Sequence, residues 1–377
     1  MQVLIGGDLV PTKSNVDLFN TADLRALIGD ALINIINEAD ARIYNLEVPL
    51  CDNEQPIAKQ GPNLRAPTSS IEGIKALNPS VLALANNHIL DQGVEGLKST
   101  EDILNRHNIP YVGVGNNLFE AARPYILNKQ DVSVGIYACA EHEFSIATET
   151  TPGANPFDPL ETPDHIAELK KQCDYVIVLY HGGKEHYRYP SPYLQKVCRK
   201  MAQKGADLII CQHSHCIGCF EIHENSTIVY GQGNFIFDRS KSKYWKDGLL
   251  LKVNIGDSLQ VDYIPIVKKD NVIRLADMQT GNEILNVFYR RSKEILEEGF
   301  IKRKYEEFAQ DNLYSYLRVF SGLGKWLLRL DRRILKGLII KRMYDKKRLL
   351  AIQNYIECEA HRDLIITGIR DRVKIFE

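Results

Sequence analysis

The sequence predicts an α/β protein with sheets held between helices. Three observations predict it. Short apolar runs of strand length alternate with segments of helical spacing. Several strands follow one another without a helix, so the alternation is not strict. Nearly every polar cluster falls just after the C-terminal end of a strand, the edge where sites assemble in open α/β sheets.

Val3–Gly6 is a short apolar strand that ends in Gly-Gly-Asp8. Over Ala22–Asp40, Leu24, Leu27, Ile28, Ala31, Leu32, Ile35 and Ile36 recur at helical spacing. Ala41–Leu46 is the next strand and ends at Glu47. Ser69–Leu77 reads as a helix, and Ser80–Ala85 as a strand ending at Asn86-Asn87-His88. Gly93–His107 is a helix and Pro110–Val114 a strand. Val132–Ala140 is an apolar run that ends at Glu141-His142-Glu143. Thr148–Pro163 carries Pro152, Pro156, Pro159 and Pro163 and reads as an ordered surface loop or lid. Pro163–Gln172 is a helix before the strand Tyr175–Tyr180, which ends at His181. Ser191–Lys204 is a helix before Asp207–Cys211, a strand that ends at His213-Ser-His215. Strands follow at Thr227–Tyr230, Leu249–Ile255 and Gln260–Ile266.

Of 377 residues, 44% are hydrophobic and 25% charged, a mix that excludes a largely disordered chain. With 47 Lys/Arg against 48 Asp/Glu, net charge gives no support for wholesale nucleic-acid binding, and no nucleic-acid partner is expected. The balance hides an asymmetry. Val287–Glu377 holds 21 basic and 13 acidic residues, which leaves 26 and 35 for residues 1–286. The eight cysteines form no disulfide framework, and several lie in apolar runs. Reduced, buried thiols and a cytoplasmic location are expected. The N-terminus enters a strand at once, without a leader pattern, and no apolar run reaches membrane-spanning length.

The strand ends supply Asp8, Glu47, Asn87, His88, His181, His213 and His215. Carboxylate, amide oxygen and imidazole suit Mn²⁺, Fe²⁺ or Zn²⁺, one or two per chain. A His-x-His pair leaving a strand can serve adjacent cations, and Glu47 is the natural bridging carboxylate. Such a pair activates water and neutralises charge on a phosphoryl group. Taken singly, each residue has a plain structural reading, such as a helix cap at Asn86-Asn87-His88. A ligand type at successive strand ends favours a shared site.

The ordered motifs Gly7-Asp8, Asn45-Leu46-Glu47, Asn86-Asn87-His88-Ile-Leu-Asp91-Gln-Gly93, His181-Gly182-Gly183-x-Glu185, Gly205-Ala206-Asp207, His213-Ser-His215 and Gly233-Asn234-Phe235 resemble the CapA family. That family serves capsule and poly-γ-glutamate synthesis in bacteria and is similar to the calcineurin-like metallophosphatases. The resemblance covers roughly residues 1–265. It implies a four-layer αββα sandwich. It also implies that Asp8 and His215 hold one metal, that Asn87, His181 and His213 hold a second, and that Glu47 bridges them. His88 would protonate the leaving group and Asp91 would orient His88. Two departures stand out. Asp8 is followed by Leu9-Val10 where related phosphatases have Asp-x-His, and Gln212 precedes the His213-Ser-His215 pair.

Arg65, in Pro62-Asn-Leu-Arg65-Ala-Pro67, reads either as a substrate-facing cation or as a solvated loop residue. Glu185 reads either as a substrate contact or as a surface residue. Cys216-Ile-Gly-Cys219 is a lone pair of thiols, too few for a tetrahedral zinc site, and reads as packing. Gly322-Leu-Gly-Lys325 is not a phosphate-binding loop, and Gly113-Val-Gly115 lacks the third glycine of a dinucleotide site.

Arg318–Leu350 carries 11 basic residues against Asp331 and Asp345. Val319, Leu323, Trp326, Leu330, Ile334 and Leu338 recur at helical spacing. Such a helix lies on an anionic membrane surface, grips an acidic polymer, or packs its apolar stripe on the main domain. The packed arrangement is the expectation. The domains expected are 1–270, metallophosphatase-like, and 271–377, a helical basic extension. The function expected is divalent-metal-dependent phosphoester hydrolysis or transfer by metal-bound hydroxide, in surface-polymer biosynthesis. The alternatives are a non-catalytic metal-containing subunit that binds an anionic polymer within a capsule assembly complex, and an amide hydrolase acting on a poly-glutamate-type chain. Capsule-synthesis proteins are expected as possible partners.

Overall fold

The apolar runs become strands in a computed structural model that describes residues 1–129 and 131–374. In chain order they are β1 (Gln2–Val10), β2 (Ala41–Leu46), β3 (Val81–Ala83), β4 (Tyr111–Val112), β5 (Val114–Gly115), β6 (Tyr125–Lys129), β7 (Val132–Ala140) and β8 (Gly153–Ala154). Then come β9 (Tyr175–His181), β10 (Leu208–Gln212), β11 (Phe220–His223), β12 (Ser226–Val229), β13 (Asn234–Phe237), β14 (Asp247–Ile255), β15 (Leu259–Lys269) and β16 (Val272–Leu275).

One sheet has the order β16-β15-β14-β1-β2-β3-β4, with β13 paired to the C-terminal half of β1. The other has the order β11-β12-β10-β9-β7-β6. In the first sheet β13, β1, β2, β3 and β4 run parallel, and β14, β15 and β16 continue it antiparallel; in the second, β7, β9, β10 and β12 are parallel and the edges β6 and β11 antiparallel. Alternation along each strand sorts its side chains to two faces. Val3 and Ile5 of β1, Ile43 of β2, Ile136 of β7, Ile177 of β9 and Ile210 of β10 form one cluster between the sheets. Leu4, Tyr44 and Leu82 turn the other way, against helix residues Leu27, Leu32, Ile74 and Leu104. Tyr137, Val178 and Ile209 likewise meet Ile166, Val197 and Met201. Helices, sheet, sheet and helices therefore stack in four layers, each buried aliphatic side chain contributing about 1.5–3 kcal/mol.

The register aligns the strand ends. Asp8 pairs with Asn45 of β2 and Asn234 of β13, and His181 pairs with Gln212 and Ala140. Close approach at this edge requires Gly7, where a Cβ would lie 2.2 Å from the Gly233 carbonyl oxygen.

Several local expectations are corrected. The single helix over Ala22–Asp40 is two, Leu24–Ile28 and Asp30–Glu38, because Gly29 at φ +79° turns the chain between them. The strand Pro110–Val114 is divided at Gly113, at φ +90°, so that β5 leaves the main sheet and pairs with β8. The proline-rich loop is pinned through Asn155 N to Gly113 O at 2.9 Å and Phe157 N to Ala140 O at 2.7 Å. Its helix is Glu161–Lys170.

The chain forms two compact units, Met1–Lys302 and a second that begins at Arg303. The helix Met278–Glu294, beyond the boundary expected near residue 270, packs on the first sheet and on the turn after Cys216. Its Phe288 lies 4.7 Å, centroid to centroid, from Tyr263, and its Arg291 donates to Gly218 O and Ile217 O at 2.7 and 2.9 Å. The second unit is helical: Lys325–Arg333, Leu338–Met343, Lys346–Glu357 and Glu359–Lys374 follow the end of Phe300–Phe320. The continuous basic helix expected here is interrupted at Gly322 and Gly337, both at positive φ. Of its apolar residues, Val319, Trp326, Leu330, Ile334 and Leu338 are exposed and Leu323 is half-buried. No helix among the described residues is long and apolar enough to cross a membrane.

Candidate metal centre

The ends of β1, β2, β9 and β10 and the turn after β3 converge on one buried cluster. Asp8, Glu47, Asn87, His181, His213 and His215 are all at most 7% exposed. His181 Nε2 lies 3.0 Å from Asn87 Oδ1, 3.3 Å from Glu47 Oε1 and 3.1 Å from His213 Nδ1. Asp8 Oδ2 lies 3.2 Å from His215 Nδ1, whose other neighbour is Asn234 Oδ1 at 2.9 Å. The donor atoms of Glu47, His181 and His213 lie within 4.8 Å of one another, as do those of Asp8, Glu47 and His215.

These donors fit divalent cations. Both Glu47 oxygens are buried and accept no hydrogen bond, a costly state for a carboxylate at the meeting point of two ligand sets. Donor spacings near 3 Å are also those of ligand atoms about 2.0–2.2 Å from a common cation. His213 and His215 stand in the left-handed region, at φ +80° and +53°. That backbone costs a residue with a Cβ on the order of 1–3 kcal/mol and recurs where side chains are held for function.

The surroundings push the two histidines in opposite directions. Burial, with His181, His215 and His88 close by, pushes His213 well below the ordinary imidazole value, so it presents a neutral ring. Burial also acts downward on His215, but Glu47, Asp8 and Asn234 overcome it and push it up to about 9. Burial raises Asp8, yet His215, His181 and Asn45 outweigh that and hold its carboxyl below the usual range.

Beside this cluster lies a second one. His88 Nδ1 lies 2.5 Å from Asp91 Oδ2, and its Nε2 lies 4.0 Å from Glu47 Oε1. Asp91 also accepts from Leu64 N at 2.5 Å and pairs through Oδ1 with Lys59. The Lys59 side chain is 2% exposed, and its Nζ lies 3.3 Å from His88 Nδ1. Gln92 fastens the same loop, accepting from Gln55 N and donating to Leu64 O at 2.8 and 3.0 Å.

Sequence reasoning missed Lys59, which sits in an unpatterned loop, and Asn45, which donates to Asp8 Oδ1 at 2.8 Å. It also missed Glu143, which accepts from Asn87 Nδ2 at 3.0 Å. The signals for the last two were present: Asn45 stands within a strand-end motif and Glu143 in the polar run after β7. Arg65 is exposed and donates to the Cys51 and Asp52 carbonyls, at 3.3 and 2.8 Å, and Glu185 is exposed beside His186. Cys216 and Cys219 are buried free thiols, and burial pushes Cys216 up to about 11. Trp245 covers one side of the cluster, its ring 4.5 Å from that of His215.

Residues 2–239 match the family profile of the bacterial capsule synthesis protein PGA_cap. The PGA biosynthesis protein CapA of Bacillus subtilis (strain 168) is 31% identical over 224 residues, 56% of this chain and 59% of that protein. The capsule biosynthesis protein CapA of Bacillus anthracis is 29% identical over 233 residues, 59% and 56% of the two chains. The chain thus spans less than two thirds of the length of either relative. Among solved structures, a phosphatase from Mycoplasma pneumoniae aligns at 14% identity and TM-score 0.43, over 72% of this chain and 94% of that one.

Proposed function

The chain belongs to the PGA_cap family of bacterial capsule synthesis proteins, and on that premise we propose that it is a divalent-metal-dependent phosphoester hydrolase or transferase of surface-polymer biosynthesis. The observation that carries this reading is Glu47, a buried carboxylate without a hydrogen-bond partner between two sets of ligand side chains.

Asp8 and His215 would hold one cation and Asn87, His181 and His213 the other, with Glu47 shared. Bound there, divalent cations would activate water and neutralise charge on a phosphoryl group. The chain's own residues supply the rest. Asn45 holds Asp8, and Asn234 holds His215. Asp91 keeps the proton of His88 on Nδ1, so Nε2 is the atom left to exchange a proton with a leaving oxygen. Lys59 and Leu64 N fix Asp91 in turn, and Trp245 excludes water beside His215.

The test is metal analysis joined to turnover of bis(p-nitrophenyl) phosphate. Protein purified without chelator is expected to hold Mn, Fe or Zn at one or two per chain and to lose both metal and turnover in His213→Ala. Protein without metal that gains neither metal nor activity on reconstitution overturns the reading.

A further inference from the structure

We infer that Arg318–Leu350 is a docking surface for an anionic lipid bilayer. The surface has two components that occur together. Phe320, Trp326, Leu327, Leu330, Ile334 and Leu338 are exposed, Trp326 by 81% and Ile334 by 68%. Around them stand ten exposed Lys/Arg side chains, among them Arg329, whose guanidinium lies 5.5 Å from the Trp326 ring centroid. An arginine beside an exposed tryptophan is the pairing found at a membrane interface, where the ring sits among headgroups and the cation meets phosphate.

The acids of the segment are turned to structural use. Asp331 is fully buried and accepts from Ile339 N at 2.8 Å, which ties Lys325–Arg333 to Leu338–Met343. Asp345 caps the next helix by accepting from Arg348 N at 2.9 Å. The outward surface is therefore cationic and apolar, with Asp345 its one exposed acid.

Charge and apolar area together select the occupant. A second copy of this surface brings the same positive charge and is repelled. An acidic polymer satisfies the cations and leaves Trp326, Leu330 and Ile334 in water. A bilayer with anionic headgroups takes both, the short helix lying in the interface plane.

The experiment uses the full chain with vesicles of phosphatidylcholine alone or with about one third phosphatidylglycerol. Binding is read by co-sedimentation and by the blue shift of Trp326 emission. Trp326→Phe, which leaves Trp245 as the other tryptophan, assigns that signal. The expected result is binding to the anionic vesicles, with partitioning at least about ten-fold lower in Trp326→Ala/Leu330→Ala/Ile334→Ala. In Arg329→Ser/Arg332→Ser/Arg333→Ser it falls about five-fold per charge removed. Circular dichroism checks that both variants fold. No binding to either vesicle overturns the inference. So does unchanged partitioning of the apolar variant, which marks a plain polyanion surface. A dimer in light scattering that becomes a monomer in the apolar variant assigns the face to a second copy and overturns it too.

Discussion

The cleft and the second unit break the burial rule in opposite directions. In the cleft, Glu47 is fully buried with neither oxygen paired by a hydrogen bond. In the second unit, Trp326, Ile334 and Val319 stand in solvent. A buried polar group and an exposed apolar patch are the two departures that carry information, since scattered exposed apolar residues are ordinary. Each costs folding free energy. The buried donor set suits a small, highly charged ligand that repays desolvation by coordination. The second unit's face is wide, apolar and positively charged, and suits an extended surface.

The predictions below break or sharpen that contrast. The largest effect is expected at His88. His88→Ala is expected to lower turnover by roughly 10²–10⁴-fold with metal content unchanged. The loss shrinks for a nitrophenyl ester, whose leaving group needs no proton. Equal rates for mutant and wild type on both ester types remove His88 from the mechanism.

Glu47→Gln tests the cleft's half of the contrast. Saturating metal at about 1,000 times its Kd should stabilise wild type by roughly 4 kcal/mol, read as a rise in Tm. Most of that rise should vanish in Glu47→Gln. An undiminished rise means that the orphaned carboxylate serves something other than a cation.

Lys59 comes next. Removing a group that orients an active-site side chain costs on the order of 10–100-fold. Lys59→Met is therefore expected to slow turnover by that amount at constant metal content, with partial rescue in Lys59→Arg. Imidazole ¹⁵N shifts provide a second reading, in which His88 leaves its Nδ1–H tautomer in the methionine variant.

A stability prediction lies outside both regions. Burial raises Glu221, but Arg199, at 3.0 and 2.6 Å, and Tyr230, at 2.6 Å, outweigh it and hold its carboxyl below the ordinary range. The depressed folded-state value means that the stabilisation is present above the unfolded-state pKa and is lost as pH falls through the folded one. Glu221→Gln should cost about 1.5–3 kcal/mol near neutrality, and the gap from wild type should close on acidification. A gap that stays constant between about pH 7 and pH 3 would show that the charge contributes nothing. The smallest effect is expected for Cys216→Ala, which should leave metal content unchanged. Loss of metal there would make the thiol a ligand.

Much of the cleft was legible because parallel strands deliver their C-terminal ends to one edge, so ligand types after successive strands imply convergence. That argument located Asp8, Glu47, His181 and the His213–His215 pair. It does not reach Lys59, whose loop has no periodicity and whose position depends on Asp91 and Gln92 folding back on it. The edge strands β6, β11 and β16 escaped for a related reason: they are short and partly exposed, with little apolar pattern. In the second unit the helical period was read correctly over short stretches, but Gly322 and Gly337 divided it. Periodicity also says which residues share a face without saying what covers that face.

The left-handed backbone at His213 and His215 bears on how the cleft should be dissected. Alanine, the usual reporter of side-chain function, keeps the Cβ and hence the strained conformation, while glycine relaxes it. At these two positions a glycine variant should melt at a higher temperature than the alanine variant, although both lack the imidazole. A scan that ranks residues by expression or thermal survival would then score the glycine form as benign. It would pass over two of the side chains on which the proposed chemistry depends. Survival-based selections run without metal would therefore favour glycine over alanine at the turn after β10, unless binding is scored alongside folding.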